Sequence, residues 1–152
     1  MKDTATLTPQ QLAEACAQAM WNADRASQRL GMVLTRIAPG QAVLSMTLTE
    51  RMTNGHGYAH GGYLFTLADS AFAFACNTYN VMTVAQHCAV TYITPGALGD
   101  RLVATAREVS RTGRSGIYDV TVTREDGTVI AEFRGHSRAL NRPLLPDTGA
   151  EA

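Results

Sequence analysis

The spacing of apolar residues changes along this chain and divides it into elements. Leu12, Cys16, Ala19, Met20 and Ala23 recur at helical intervals. They follow Thr8-Pro9-Gln10-Gln11, where proline suits the first helical position and Thr-x-x-Gln can form a capping box. The pattern predicts a helix that opens at Thr8 and runs towards Leu30, with Gly31 as its stop. Alternation then takes over. Met32 to Ala38 and Ala42 to Thr49 predict two strands joined at Pro39-Gly40. In the second, Val43, Ser45 and Thr47 point one way and Leu44, Met46 and Leu48 the other. Met52 to Gly62 is rich in Gly and His and predicts a loop. Tyr63 to Tyr79 is Ala-rich, lacks Pro and Gly, and is apolar on nearly every side, which predicts a helix buried all round. Four further strands are predicted, from Val84 to Ile93, Leu102 to Ser110, Ile117 to Arg124 and Val129 to Ser137. Pro95-Gly96, Gly113 and the hairpin signal Asp126-Gly127 separate them. Periodicity fades after Asn141, where two prolines follow, and this predicts a disordered tail.

Helix, two strands, helix, then a run of strands is the order of an antiparallel α+β domain, not of a doubly wound sheet. The simplest arrangement curls the sheet around the central helix. With 152 residues there is room for one domain of ordinary size. Residues 1–30 read as a helical segment of that domain, 31–140 as its body and 141–152 as the tail. Charged residues make up only 17% of the chain, against ~25% in an ordinary soluble domain. A surface short of charge predicts that a second copy covers part of it. The 13 basic and 13 acidic residues cancel, which argues against nucleic acid or a membrane surface as the main partner. No apolar run reaches the ~18 residues of a membrane span, and Met1-Lys2-Asp3-Thr4 does not lead into a secretory signal. Cys16, Cys76 and Cys88 are odd in number and far apart, so reduced thiols in a cytoplasmic protein are expected.

One residue stands out chemically. Between Met52 and Gly99 the single Asp, Glu, Lys or Arg is Asp69, in the middle of the apolar helix. A carboxylate there is costly unless partnered, and its pKa rises. A structural role would have it bond to Ser70 or Thr66, a task an uncharged residue does at less cost. A perturbed acid in a pocket points instead to a general base or nucleophile. Upstream lies Asn54-Gly55-His56-Gly57-Tyr58-Ala59-His60-Gly61-Gly62. Its last two glycines enter the helix, where unpaired N–H groups and the helix dipole can polarise a carbonyl. Asp69 is eight residues beyond Gly61, or ~12 Å along the axis at ~1.5 Å per residue. The carboxylate therefore cannot attack a carbonyl held by its own chain's Gly61. An antiparallel second copy closes the gap, which predicts a two-fold dimer with shared sites.

The set Asn54, Gly55, His60-Gly61-Gly62, Leu67-Ala68-Asp69, Ala71-Phe72-Ala73 and Cys76-Asn77 resembles the hotdog-fold acyl-CoA thioesterases. Pro95-Gly96, Gly99-Asp100, Gly116-Ile117-Tyr118-Asp119 and Phe133-Arg134-Gly135 extend the match over roughly Leu30 to Ala139. The resemblance implies a helix wrapped by an antiparallel sheet, sheets joined edge to edge in dimers, and dimers often paired into tetramers. It implies that Asp69 attacks the thioester or activates water, that the Gly61 N–H polarises the carbonyl, and that Asn54 and His60 orient the loop or the thioester. It points to aromatic acyl-CoA, phenylacetyl-CoA and ring-hydroxylated derivatives, as substrate. Where some relatives carry a Ser or Thr, this chain reads Val84-Ala85-Gln86-His87, so that Gln86 and His87 are either plain strand positions or, for one of them, a holder of water.

Coenzyme A is part of the substrate, and no separate cofactor or metal is expected. Its phosphates need positive surface. Arg111-Thr112-Gly113-Arg114 forms a basic turn beside Gly62 in the expected binding set, and Arg134, His136 and Arg138 lie near the end of the last strand. His56 and His60 have the spacing of two helical metal ligands, but glycines surround them and no third ligand cluster is visible. Two rival functions remain. One is a hotdog hydratase or dehydratase with His60 as base; the other is an acyl-CoA-binding sensor without catalysis.

Overall fold

Six strands follow the first helices and enclose the central one, in a computed structural model that describes residues 4–146. Helix α1 (Pro9–Ala23) starts as its sequence dictates. Thr8 Oγ1 accepts the N–H of Gln11, and Gln11 Oε1 accepts the N–H of Thr8, closing the capping box. The helix does not run unbroken to Leu30. Asp24 interrupts it, its N–H bonding back to Met20 and Trp21 while its carboxylate caps the Ser27 N–H. A second short helix, α2 (Arg25–Arg29), follows, and Gly31 turns the chain at a φ of 69°.

Strands β1 (Val33–Ala38) and β2 (Gln41–Thr47) form the predicted hairpin about Pro39-Gly40. Helix α3 (Gly61–Cys76) takes in the two glycines that the sequence placed in the loop. Then come β3 (Thr83–Tyr92), β4 (Arg101–Thr112), β5 (Ser115–Arg124) and β6 (Val129–Ala139). All pairings are antiparallel, in the order β1-β2-β4-β5-β6-β3. This is the α+β hotdog architecture: one long helix laid against a curved six-stranded sheet. No helix among the described residues is long and apolar enough to cross a membrane.

The core sits between α3 and the sheet. Leu67, Ala68, Ala71, Phe72 and Ala75 of α3 are fully buried against Leu44, Leu102, Ala104, Val120 and Val122 of the strands. Each large side chain buried this way contributes ~1.5–3 kcal/mol, which fixes the register of every strand facing the helix. The expectation of a helix buried all round needs correction. Gly62, Phe65, Thr66, Asp69 and Ala73 recur at three- and four-residue steps and stay partly open. The sheet wraps only part of the helix, and its last strand in space, β3, is an edge with most of its residues exposed.

Of the tail expected over 141–152, residues 147–152 lie outside the described residues. Before them, the Met82 N–H donates to the Arg142 carbonyl at 2.8 Å, and the Leu145 N–H donates to Asn80 Oδ1 at 2.8 Å.

Gly135 shows how tightly helix and sheet meet. A Cβ there would lie 2.8 Å from three ring carbons of Phe72, which is itself fully buried. Neither ring nor strand can give way cheaply. Gly135→Ala should cost ~1–3 kcal/mol through overpacking. In a thermal melt this is a fall of roughly 3–10 °C for a chain of this size, and an unchanged melting temperature would contradict the packing described.

Candidate active site

The loop before α3 is organised by one side chain. Asn54 Oδ1 accepts the N–H of His56 at 2.9 Å and of Tyr58 at 3.2 Å. The Asn54 N–H donates to the Tyr58 carbonyl at 2.7 Å, and the Gly57 N–H donates to the Asn54 carbonyl at 3.0 Å. Two more bonds fasten this turn to the body, from the Ala59 N–H to Gly96 and from the His60 N–H to Met52, each 2.8 Å. The start of α3 is thereby fixed in space. Asn54 acts here by shaping the loop.

His60 is the N-cap of α3. Its Nδ1 accepts the Gly62 N–H at 3.0 Å, so the lone pair on that nitrogen is spent and a ring proton sits at Nε2. His60 thus presents its Nε2–H as a donor. The Gly61 N–H, at the first helical position, has no acceptor among the described residues. The carbonyl of the same residue accepts the Tyr92 O–H at 2.8 Å. A cleft of about 440 Å³ opens beside it, lined by Asn54, Tyr58, Gly61, Leu64, Tyr92 and Pro95 among others.

Asp69 lies two turns further along α3. Neither neutral neighbour serves it: Thr66 Oγ1 donates to the Gly62 carbonyl, and the Ser70 hydroxyl meets that of Ser27 at 3.0 Å. Among the described residues, the one polar contact of its carboxylate is the Cys88 thiol, 3.9 Å from Oδ1, a weak bond. Burial pushes the Asp69 carboxyl above its ordinary range, and the Cys88 contact offsets only part of that. Burial, and then the nearby Asp69 charge, push the Cys88 thiol up to about 11. Cys88 is therefore a protonated donor near neutral pH, not a nucleophile.

The residues expected to meet coenzyme A phosphates occupy two places. Arg111, Thr112, Gly113 and Arg114 form the exposed turn between β4 and β5. Arg111 stacks on Tyr79, its guanidinium carbon 3.7 Å from the ring centroid, and approaches Glu108 at 3.6 Å. Arg114 Nε donates to the Ala139 carbonyl at 3.0 Å. Arg138 is in register with Ser115 at this same end of the sheet. Arg134 is elsewhere. It sits mid-strand and grips Asp119 through two bonds of 2.7 and 2.9 Å, which hold that carboxyl below its ordinary range. His136 faces His87 across β6 and β3, ring centroids 5.6 Å apart, away from the α3 side of the sheet. Gln86 falls at the bulge of β3 and is exposed.

Sequence reasoning missed Tyr92, Tyr58 and Cys88 as site residues. Alternation along β3 does place Cys88, Val90 and Tyr92 on one face. Which helical residues they meet depends on how β3 lies against α3, and no local pattern encodes that.

Comparison with known proteins agrees with this fold. Residues 56–131 match the family model described as "Thioesterase superfamily". The chain is 40% identical over 124 residues to acyl-coenzyme A thioesterase PaaI of Escherichia coli, covering 82% of this chain and 89% of that protein. It is 32% identical over 127 residues to human acyl-coenzyme A thioesterase 13, covering 81% and 90% respectively. The solved structure of Escherichia coli PaaI, a protein of its phenylacetic acid degradation operon, superposes with a TM-score of 0.88 at 37% identity, covering 90% of this chain and 99% of that one. The TT0310 protein of Thermus thermophilus superposes with a TM-score of 0.74 at 40% identity, covering 77% and 98%. This chain thus belongs to the thioesterase superfamily, as a hotdog-fold hydrolase of acyl-CoA thioesters.

Proposed function

We propose that the protein hydrolyses aromatic acyl-CoA, phenylacetyl-CoA and its ring-hydroxylated derivatives, to the free acid and coenzyme A in the cytoplasm. The working unit is a two-fold homodimer, pairing again into a tetramer. Each site joins Asp69 of one protomer to the Gly61 N–H of the other. The observation that carries this reading is a coincidence of two spacings. On α3, Asp69 and Gly61 are ~12 Å apart, with residue 65 midway. On β3, the residues touching them are Cys88 and Tyr92, ~13 Å apart, with Val90 midway. Phe65 and Val90 flank the same residue, Phe133: the two rings lie 5.5 Å apart, and Val90 is its Cα partner across the ladder. One two-fold axis at that level superimposes each Asp69 on a partner Gly61. The same axis pairs the free edges of β3 and sets Cys88 opposite Tyr92. It also covers the open stripe of α3.

In the reaction the thioester carbonyl rests on the Gly61 N–H, with the dipole of α3 behind it. Water attacks the carbonyl carbon and its proton passes to Asp69, or Asp69 attacks and water then cleaves the resulting anhydride. The C–S bond breaks, and the proton ends on the coenzyme A thiolate. His60, through Nε2, and Asn54, through the turn it holds, orient the thioester. The β4–β5 turn sits at the Cys76 end of α3, beyond Asp69, which suits Arg111, Arg114 and Arg138 to the phosphate end of coenzyme A. Thr112 and Gly113 shape that turn, and Gly62 shapes the helix start. Arg134 and His136 are less suited: Arg134 sits mid-strand already paired with Asp119, and His136 packs against His87. Gln86 or His87 would hold water only from the exposed strand edge. Tyr58 and Tyr92 offer ring faces in the cleft, which favours an aromatic acyl group.

Thiol release over a panel of aryl- and alkyl-CoA esters tests the substrate, and equal rates across the panel would overturn the aromatic preference. Asp69→Asn should lower kcat by at least about a hundredfold while coenzyme A binding persists. Turnover near wild type would sink the mechanism. Because burial raises the Asp69 pKa and the charged form is the active one, activity should fall as pH drops through that raised value. The acid limb of the rate profile then lies above the ordinary aspartate range. The folded carboxyl holds its proton more tightly than the unfolded one, so its contribution to stability declines as pH rises through the same window. Asp69→Asn should accordingly melt no lower than wild type at pH 7, and a lower melting temperature would contradict the assignment.

A further inference from the structure

We propose that Tyr92 is a positioning residue for the oxyanion donor, an inference that rests on the thioesterase mechanism above. Its hydroxyl pins the peptide that follows the Gly61 N–H. That peptide, between Gly61 and Gly62, is held at both ends: Tyr92 O–H bonds its carbonyl at 2.8 Å, and His60 Nδ1 accepts its N–H at 3.0 Å. The need for two pins follows from the sequence. A helix that opens on Gly-Gly starts with residues each ~1 kcal/mol worse than alanine, so its first turn tends to fray. Fraying would swing the Gly61 N–H away from the carbonyl it must polarise. His60 opposes this from within the loop. Tyr92 opposes it from β3, the same strand that places Cys88 against Asp69. One strand therefore sets the position of both halves of the chemistry.

The ring does a second job. A Cβ at position 61 would lie 2.9 Å from Cζ and from the hydroxyl oxygen of Tyr92. An alanine at position 61 would push the end of that ring aside, and with it the hydroxyl that holds the carbonyl. The contact is tight for a side chain half exposed at a sheet edge, and burial alone does not require it.

Tyr92→Phe tests the proposal in the full-length protein, since it removes the hydroxyl and keeps the ring. The expected result is a fall in kcat of about tenfold, the rate equivalent of one net hydrogen bond, with KM essentially unchanged and a melting temperature no more than a few degrees lower. The carbonyl carbon-13 resonance of Gly61 should shift, because that carbonyl loses its donor. Three results would each overturn the assignment: kcat within twofold of wild type, a loss carried by KM instead of kcat, or an unmoved Gly61 carbonyl resonance. The same assay separates this from the parent reading. A wild-type protein that releases no thiol defeats the thioesterase mechanism, whereas active wild type with an equally active Tyr92→Phe defeats only the role of Tyr92.

Discussion

The structure turns on a carboxylate that finds only one weak polar partner among the described residues. Asp69 sits mid-helix in an otherwise apolar stretch, its pKa raised by burial, with a weak contact to the Cys88 thiol. Thr66 and Ser70, each within reach by sequence, bond elsewhere. A group held this way costs stability, and folds keep such groups where the cost supports chemistry. The rest of the molecule is arranged around it. The sheet wraps the helix on the sides that do not carry Asp69. The stripe from Gly62 to Ala73 stays partly open, and β3 keeps a free edge beside it.

The opposite charge requirement is met at the other end of the open stripe. Asn54 locks the entering loop, His60 caps the helix, and Tyr92 holds the first carbonyl. Together they leave the Gly61 N–H unused at the positive end of the helix dipole. Acid and donor are thus built on one rigid element at a separation that excludes cooperation within a chain. In the proposed mechanism two copies resolve this, which would link the low charge content of the sequence to the chemistry of the site.

Much of this was legible in the sequence because it is local. The capping box at Thr8 and Gln11, the strand alternation in β2 and the isolation of Asp69 need no knowledge of tertiary structure. The break at Asp24 was hidden because one residue ends α1 and starts α2 at once, and the apolar period runs through it. The open face of α3 was hidden because Phe65 and Ala73 on it are as apolar as the buried residues, and Thr66 and Asp69 alone do not mark a stripe; the reach of the sheet does. The same limit applies to Arg134. Beside its sequence neighbours it reads as a free cation, but the β5–β6 register sets it against Asp119. Tyr92 is the functional counterpart of that miss, an edge tyrosine whose meaning comes from the glycine it touches.

The central claim is that each site draws its acid and its donor from different protomers, and subunit mixing tests it most directly. Asp69→Asn removes the acid. Gly61→Pro removes the donor N–H at a first helical position, after a His60 ψ of 128° that a following proline accepts, and its Cβ displaces only the exposed end of the Tyr92 side chain. Each variant alone should be inactive. Unfolded together and refolded as mixed dimers, they form one doubly defective site and one intact site per heterodimer, and thiol release should return to a substantial fraction of the wild-type rate. A mixture no more active than the sum of its two components would show that the protomers do not share their sites.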